Sequence, residues 1–250
     1  MLKIIPRSIQ DVPTLEVIQE ELINEPLPLV IFYHGWRSAK EQVLTQARKL
    51  AQKNIRVVLP DAPNHGERHA DVSSVPSVTF WNSIQGNLSE FSLICQYYQK
   101  NNLIKDQKIG VGGYSMGGIT TAALLTQHPE ITAATVIMGT PNLKGYAQLI
   151  IDDAKKRNLY MPVDFDKLIA WIDNYDLNSQ PEKINRRPVL FWHGTKDPRI
   201  PYRMSKDFFD NLQGKTYGEQ VAFITGYRAG HLVEPRLMDK IANFFEYYLE

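Results

Sequence analysis

Gly113-Tyr114-Ser115-Met116-Gly117 places a serine between glycines where one kind of periodicity gives way to another. Lys108-Ile109-Gly110-Val111-Gly112 before it is a short apolar strand candidate. Gly118-Ile119-Thr120-Thr121-Ala122-Ala123-Leu124-Leu125 after it is a helix candidate rich in small residues. A serine on a sharp strand-to-helix turn has a strained backbone and a hydroxyl that projects outward. The flanking glycines let strand and helix approach without a Cβ clash. The helix that follows points free N–H groups at any anion that forms beside the serine. The pattern reads as a nucleophile; the plainer alternative is a tight turn with an idle serine.

A serine hydroxyl is a poor nucleophile unless a base takes its proton, and the base must be oriented by a carboxylate. Both partners follow downstream. Pro188-Val189-Leu190-Phe191-Trp192 is a strand candidate running into His193-Gly194-Thr195-Lys196-Asp197. Val221-Ala222-Phe223-Ile224-Thr225-Gly226 is another, followed by Ala229-Gly230-His231 and a closing helix. Ser115, Asp197 and His231 thus each lie just past the C-terminal end of a predicted strand. In an open parallel sheet those ends share the edge where ligands bind.

Four motifs in this order make the chain resemble serine hydrolases of the α/β-hydrolase fold over nearly all of its length. They are His34-Gly35-Trp36, the Ser115 turn, the run from His193 to Pro201, and Gly230-His231. The third resembles the acid loop of the branch that holds prolyl oligopeptidases, dienelactone hydrolases and many small bacterial esterases. Asp61-Ala62-Pro63-Asn64-His65-Gly66-Glu67-Arg68 is similar to that branch's D-x-x-G-x-G-x-S region, with Glu67-Arg68 departing from its usual ending. Dienelactone hydrolases proper use a cysteine nucleophile; Ser115 argues against that activity here.

The oxyanion of an acyl-transfer intermediate needs two fixed N–H donors. Met116, directly after the serine, supplies one. The other is expected from the loop after Leu29-Val30-Ile31-Phe32-Tyr33, and the resemblance points to the N–H of Trp36. It also implies a structural place for His193, while His34 reads as a loop-orienting residue. His65 and His69 flank Glu67, but Pro63 and Gly66 make this a loop, so no metal site is assigned. His128 precedes Pro129 at a helix end and reads as a capping or surface residue.

Alternating strand and helix patterns predict one mostly parallel sheet covered on both faces. Strands are expected at 29–33, 55–59, 134–138 and 188–192, with helices over 40–53 and about 79 to 100. Leu15-Glu16-Val17-Ile18 is expected in an N-terminal antiparallel hairpin. A formal net charge of +1 gives no reason to expect nucleic acid or an anionic membrane as partner. Cys95 is the one cysteine, which suits the cytosol and a buried small hydrophobe. No signal-peptide core and no membrane-spanning apolar run is seen. Residues 1–250 read as a single domain.

One stretch exceeds the minimal plan: about fifty residues separate the strand at 134–138 from that at 188–192, more than a simple crossover needs. Asp164 or Asp166 is a candidate start for a helix through Asp173. The resemblance implies a cap here, so residues 142–180 are expected to form a helical lid. Tyr146, Tyr160 and Trp171 are its candidate substrate-binding aromatics, unless they only pack the lid onto the domain. The expected activity is hydrolysis of a small-molecule carboxylic ester without a cofactor. Alternatives are a short-peptide or amide hydrolase and a non-catalytic ligand-binding protein on the same scaffold. The substrate, its acyl length and the oligomeric state, monomer or homodimer, stay open.

Overall fold

The structure is a computed structural model describing residues 1–250. Its strands are β1 (Leu2–Ile9), β2 (Val12–Gln19), β3 (Leu27–Tyr33), β4 (Arg56–Pro60), β5 (Ile104–Tyr114), β6 (Ile131–Ile137), β7 (Val189–Gly194) and β8 (Val221–Gly226). Its helices are α1 (Leu44–Ala51), α2 (Val78–Lys100), α3 (Met116–Gln127), α4 (Leu143–Lys156), α5 (Phe165–Leu168), α6 (Ile172–Tyr175), α7 (Tyr202–Asn211) and α8 (Pro235–Leu249). The strands form one sheet in the order β1-β2-β4-β3-β5-β6-β7-β8. The expected N-terminal hairpin is β1 with β2; β2 also pairs antiparallel with β4. Every remaining pair is parallel.

β3 is buried along its whole length, as a parallel strand covered on both faces must be. Alternate side chains serve two cores. Leu29, Ile31 and Tyr33 join a core with residues of α2, α3, α4 and α7. Val30 and Phe32 join the other with Ala47 and Leu50 of α1 and Ile241 and Phe245 of α8. This is the period-two alternation of a strand read at its centre.

The expected helix over 40–53 begins as a single 3₁₀ turn, Lys40–Val43, before α1. Its first turn is tethered elsewhere: the Lys40 N–H donates to Asp61 Oδ1 at 2.9 Å, and Lys40 Nζ reaches Asp61 Oδ2 at 2.5 Å. Asp61, fully buried, also accepts the Glu67 N–H at 3.0 Å. Gly66 packs over this carboxylate with φ of +53°, and a Cβ there would lie 2.1 Å from Asp61 Oδ1. Glycine alone fits both demands.

Neutral histidines tie the neighbouring loop down. His34 Nε2 accepts the Ala62 N–H at 3.0 Å, which assigns the proton to Nδ1, 2.8 Å from the Gly35 carbonyl. His65 Nε2 accepts the Arg37 N–H at 3.0 Å, and Nδ1 donates to the Pro63 carbonyl. Burial lowers the pKa of His34 to about 4 and lowers that of His65 as well.

Residues 142–180 carry α4, α5 and α6 between β6 and β7. The helix expected from Asp164 or Asp166 to Asp173 is instead two single turns, α5 and α6, interrupted at 169–171. Asp164 makes no side-chain cap bond. Fully buried Asp176 organises the segment instead. It accepts the N–H groups of Leu143 at 2.7 Å, Lys144 at 3.3 Å and Ser179 at 3.1 Å, and the Ser179 hydroxyl. Asn142 caps α4 through the Gly145 N–H at 2.8 Å.

Two expectations follow from these contacts. Asp176→Ala strands several buried donors, so urea denaturation should report a loss of about 3 kcal/mol, with a smaller loss for Asp176→Asn. An unchanged midpoint would show that the segment is held by apolar contacts alone. The second concerns acid. An unfolded histidine titrates near ~6.5, above the folded-state value of His34, so the unfolded chain binds the extra proton. Stability should therefore fall as pH drops from about 6.5 toward 4, with His34 responsible for about 3 kcal/mol. Unfolding free energies across that window should decline less steeply in His34→Gln; equal slopes would remove His34 as the cause.

Candidate active site

Ser115 sits between the last residue of β5 and the first of α3, with φ 56° and ψ −113°. A residue other than glycine holds such angles only when its surroundings over-determine them. Here they do. The Ser115 N–H donates to the Ile137 carbonyl at 2.9 Å, and its carbonyl accepts the Ile119 N–H. A Cβ on Gly113 would lie 2.5 Å from the Gly117 carbonyl carbon, and one on Gly117 would lie 2.2 Å from the Tyr33 oxygen. The start of α3 is thus pressed against β3 and β5 with no side chain between.

Ser115 Oγ is 2.8 Å from His231 Nε2, and His231 Nδ1 is 2.6 Å from Asp197 Oδ2. Three residues separated by up to 116 positions meet because β5, β7 and β8 run parallel and end on one edge. Asp197 Oδ1 accepts the N–H groups of Arg199 at 2.8 Å and Ile200 at 3.1 Å. Burial opposes ionisation of this carboxyl. The His193 and His231 contacts and the two backbone donors outweigh it and hold the pKa well below the usual carboxylate range. Asp197 is therefore an anion in a buried place, where it favours the imidazole tautomer with its proton on Nδ1.

His193 is buried beside the same carboxylate. Its Nε2 is 2.9 Å from the Ile200 carbonyl and 3.1 Å from Asp197 Oδ2. It makes no contact with Ser115, which leaves it a structural position. Of the rival acids, Asp207 and Asp210 lie on α7 and pair with Arg203 and Lys206. Glu234 is exposed at the start of α8.

The loop His34-Gly35-Trp36 runs against the serine: a Cβ on Gly35 would lie 3.6 Å from Ser115 Cβ. The Trp36 N–H has no partner within the protein. Met116 opens α3, where a backbone N–H has no intrahelical acceptor. Two donors are thereby left free beside the hydroxyl. The Trp36 ring rests edge-on against His65 and Phe80, fixing that part of the loop.

A cavity of about 400 Å³ opens over Ser115, between this loop and α4. Trp36, Phe80, Tyr146 and Ile150 supply its apolar wall. A second cavity of about 410 Å³ lies at the other end of the strands, around Leu27, Lys53 and Lys105. It contains no nucleophile, so chemistry rather than size singles out the first. No group of three or more His, Cys, Asp or Glu side chains is arranged so that it could hold a metal ion. His65, weighed above as a ligand, uses one ring nitrogen on the Pro63 carbonyl of its own loop and the other on the Arg37 N–H of the loop after β3.

Of the three candidate aromatics of the 142–180 segment, Tyr146 lines the cavity; Tyr160 and Trp171 do not. Tyr160 lies beyond the end of α4 and is 72% exposed, while its neighbour Leu159 reaches the cavity. Trp171 packs edge-on against Trp81 of α2 and Tyr175 of α6, joining this segment to the core. The sequence reading missed Phe80 and Ile150 in the wall. A Phe80-Trp81 pair at the start of a long helix was the available signal. It also missed the arginines Arg37 and Arg199 at the mouth, although Arg199 lies inside the acid-loop motif.

Residues 84–250 match the model of the prolyl oligopeptidase family. The chain is 36% identical to YitV of Bacillus subtilis (strain 168) and 27% identical to Esterase YjfP of Escherichia coli (strain K12), each over 100% of both chains. A crystal structure from Thermus thermophilus superposes with a TM-score of 0.80 at 18% identity, covering 100% of this chain and 99% of that one. The sheet order, the helices on both faces and these likenesses together identify the α/β-hydrolase fold. With the family model spanning most of its length and a full-length relative above one-third identity, the chain belongs to the prolyl oligopeptidase family.

Proposed function

We propose that the protein is a serine hydrolase that cleaves carboxylic esters of small or medium size through an acyl-enzyme on Ser115. The observation that carries this is the hydrogen-bonded line from Ser115 Oγ through His231 to Asp197. His231 Nε2 takes the hydroxyl proton as Oγ attacks the ester carbonyl. Asp197 keeps the imidazole in the required tautomer and stabilises the imidazolium. The N–H groups of Trp36 and Met116 receive the developing oxyanion; each such donor contributes about a hundredfold to a thousandfold in rate. The imidazolium then gives its proton to the leaving alcohol. A water activated by His231 hydrolyses the acyl-enzyme, and no cofactor is needed.

The name of the relative YjfP supports esters over amides. Family membership keeps amide or short-peptide cleavage as the second reading. Tyr146, on the cavity wall, serves as a substrate contact in this scheme. No helix is long and apolar enough to cross a membrane. Cys95, the one cysteine, is buried, in keeping with a cytoplasmic location. The partner we assign is a small molecule, with no role for nucleic acid.

Three outcomes test this reading. Ser115→Ala should lower hydrolysis of p-nitrophenyl esters by at least about a thousandfold and abolish labelling by a fluorophosphonate. A variant that keeps most of its turnover would remove Ser115 as nucleophile. Asp197→Asn should reduce turnover by about ten-thousandfold with an unchanged circular dichroism spectrum; a few-fold loss would move the acid elsewhere. Acyl-matched p-nitroanilides should be cleaved far more slowly than p-nitrophenyl esters, and the reverse order would favour the amidase reading.

A further inference from the structure

The mouth of the Ser115 cavity carries two cations and no anion. Arg37 and Arg199 both line it, and no Asp or Glu does. Each is anchored at its backbone. The Arg37 N–H donates to His65 Nε2, and the residue holds φ 55°. The Arg199 N–H donates to Asp197 Oδ1, the carboxylate that also contacts His231. Neither guanidinium forms an ion pair or a hydrogen bond within the protein, whereas twelve of the other Lys and Arg side chains are ion-paired.

The two arginines stand on different walls. Arg37 follows Trp36 in the loop beside the serine and also borders an adjoining cavity of about 360 Å³ containing Asn64 and His69. Arg199 lies in the acid loop. Tyr146 of α4 lines the same cavity as Arg199; burial and then the Asp197 carboxylate push its phenol up to about 12, with the charge of Arg199 acting against both. Ser77, on the same lining, has a buried hydroxyl without a partner. Unpaired guanidinium forks at a chamber whose wall is half hydrophobic side chains, with serines among the rest, match a ligand that has an apolar part and carries a carboxylate.

We propose that the site selects esters bearing a free carboxylate, held by Arg37 and Arg199 at the cavity mouth while the ester carbonyl lies at Ser115. The proposal rests on Ser115 as the nucleophile. It makes the two arginines specificity residues: they bind a part of the substrate that does not react. Attraction to a carboxylate at a partly exposed site should raise kcat/KM chiefly through tighter binding and faster encounter, and should weaken with salt.

The test compares matched esters at low ionic strength. Mono-p-nitrophenyl adipate against p-nitrophenyl hexanoate places the carboxylate on the acyl half. p-Hexanoyloxybenzoate against its methyl ester places it on the alcohol half. In the wild type at least one carboxylate should be favoured over its neutral match by about tenfold in kcat/KM, mainly through KM. Raising the ionic strength should shrink that ratio. In Arg37→Gln and in Arg199→Gln the ratio should fall several-fold, and in the double variant it should approach one. A wild-type ratio at or below one for both pairs overturns the proposal, and so does a preference that the double variant keeps. Ser115→Ala is the control for the underlying reading: if it still turns over the neutral esters, the nucleophile assignment fails, whatever the ratios.

Discussion

The site depends on a backbone contact rather than on any side chain. Gly113, Gly117 and the Tyr33 carbonyl meet at distances that exclude a Cβ. That contact lets β5 turn into α3 within one residue and keeps Ser115 at its positive φ. Ser115 in turn depends on β6, whose last residue accepts its N–H. The central strands thus set the position of the hydroxyl, and the loops that approach it need only be held at the right depth.

Those loops are held by one repeated device. Three buried aspartates each gather backbone N–H groups from a segment at or near the strand ends. Asp61 collects Lys40 and Glu67. Asp176 collects Leu143, Lys144 and Ser179. Asp197 collects Arg199 and Ile200. A buried carboxylate is costly alone but tolerable when its lone pairs are filled. Asp61 and Asp197 are both held low despite burial, by Lys40 and its neighbours in one case and by the two histidines in the other. Two of the three thus act in the interior much as a capping residue acts at a helix end, and Asp197 uses its remaining oxygen for His231.

The sequence made the fold and the meeting of Ser115, Asp197 and His231 legible for a physical reason. Apolar runs such as Leu29–Tyr33 and Val189–Trp192 can only be central strands, and strands in parallel put their following loops on one edge. The segment between β6 and β7 was less legible. α5 and α6 are too short for a period to show, and no Gly or Pro lies between them to mark the break. Tyr160 and Leu159 are adjacent, so which of them enters the cavity turns on how the chain leaves α4. Arg37 and Arg199 stood inside or beside recognised motifs. A charge without a partner, however, is visible only when the surroundings are known in three dimensions.

The two cores draw on different lengths of the chain. α8 is the last element and brings Ile241, Phe245 and Leu249 to the second core. The Phe245 ring fills the place where a Cβ on Gly110 would stand, directly beneath the strand that carries Ser115. His231 lies only a few residues before α8. A fragment that stops short of His231 therefore lacks both the imidazole and the helix that seals the back of that strand. The hydroxyl comes early in the chain and its imidazole partner late, so such a fragment holds Ser115 with no base beside it to take its proton.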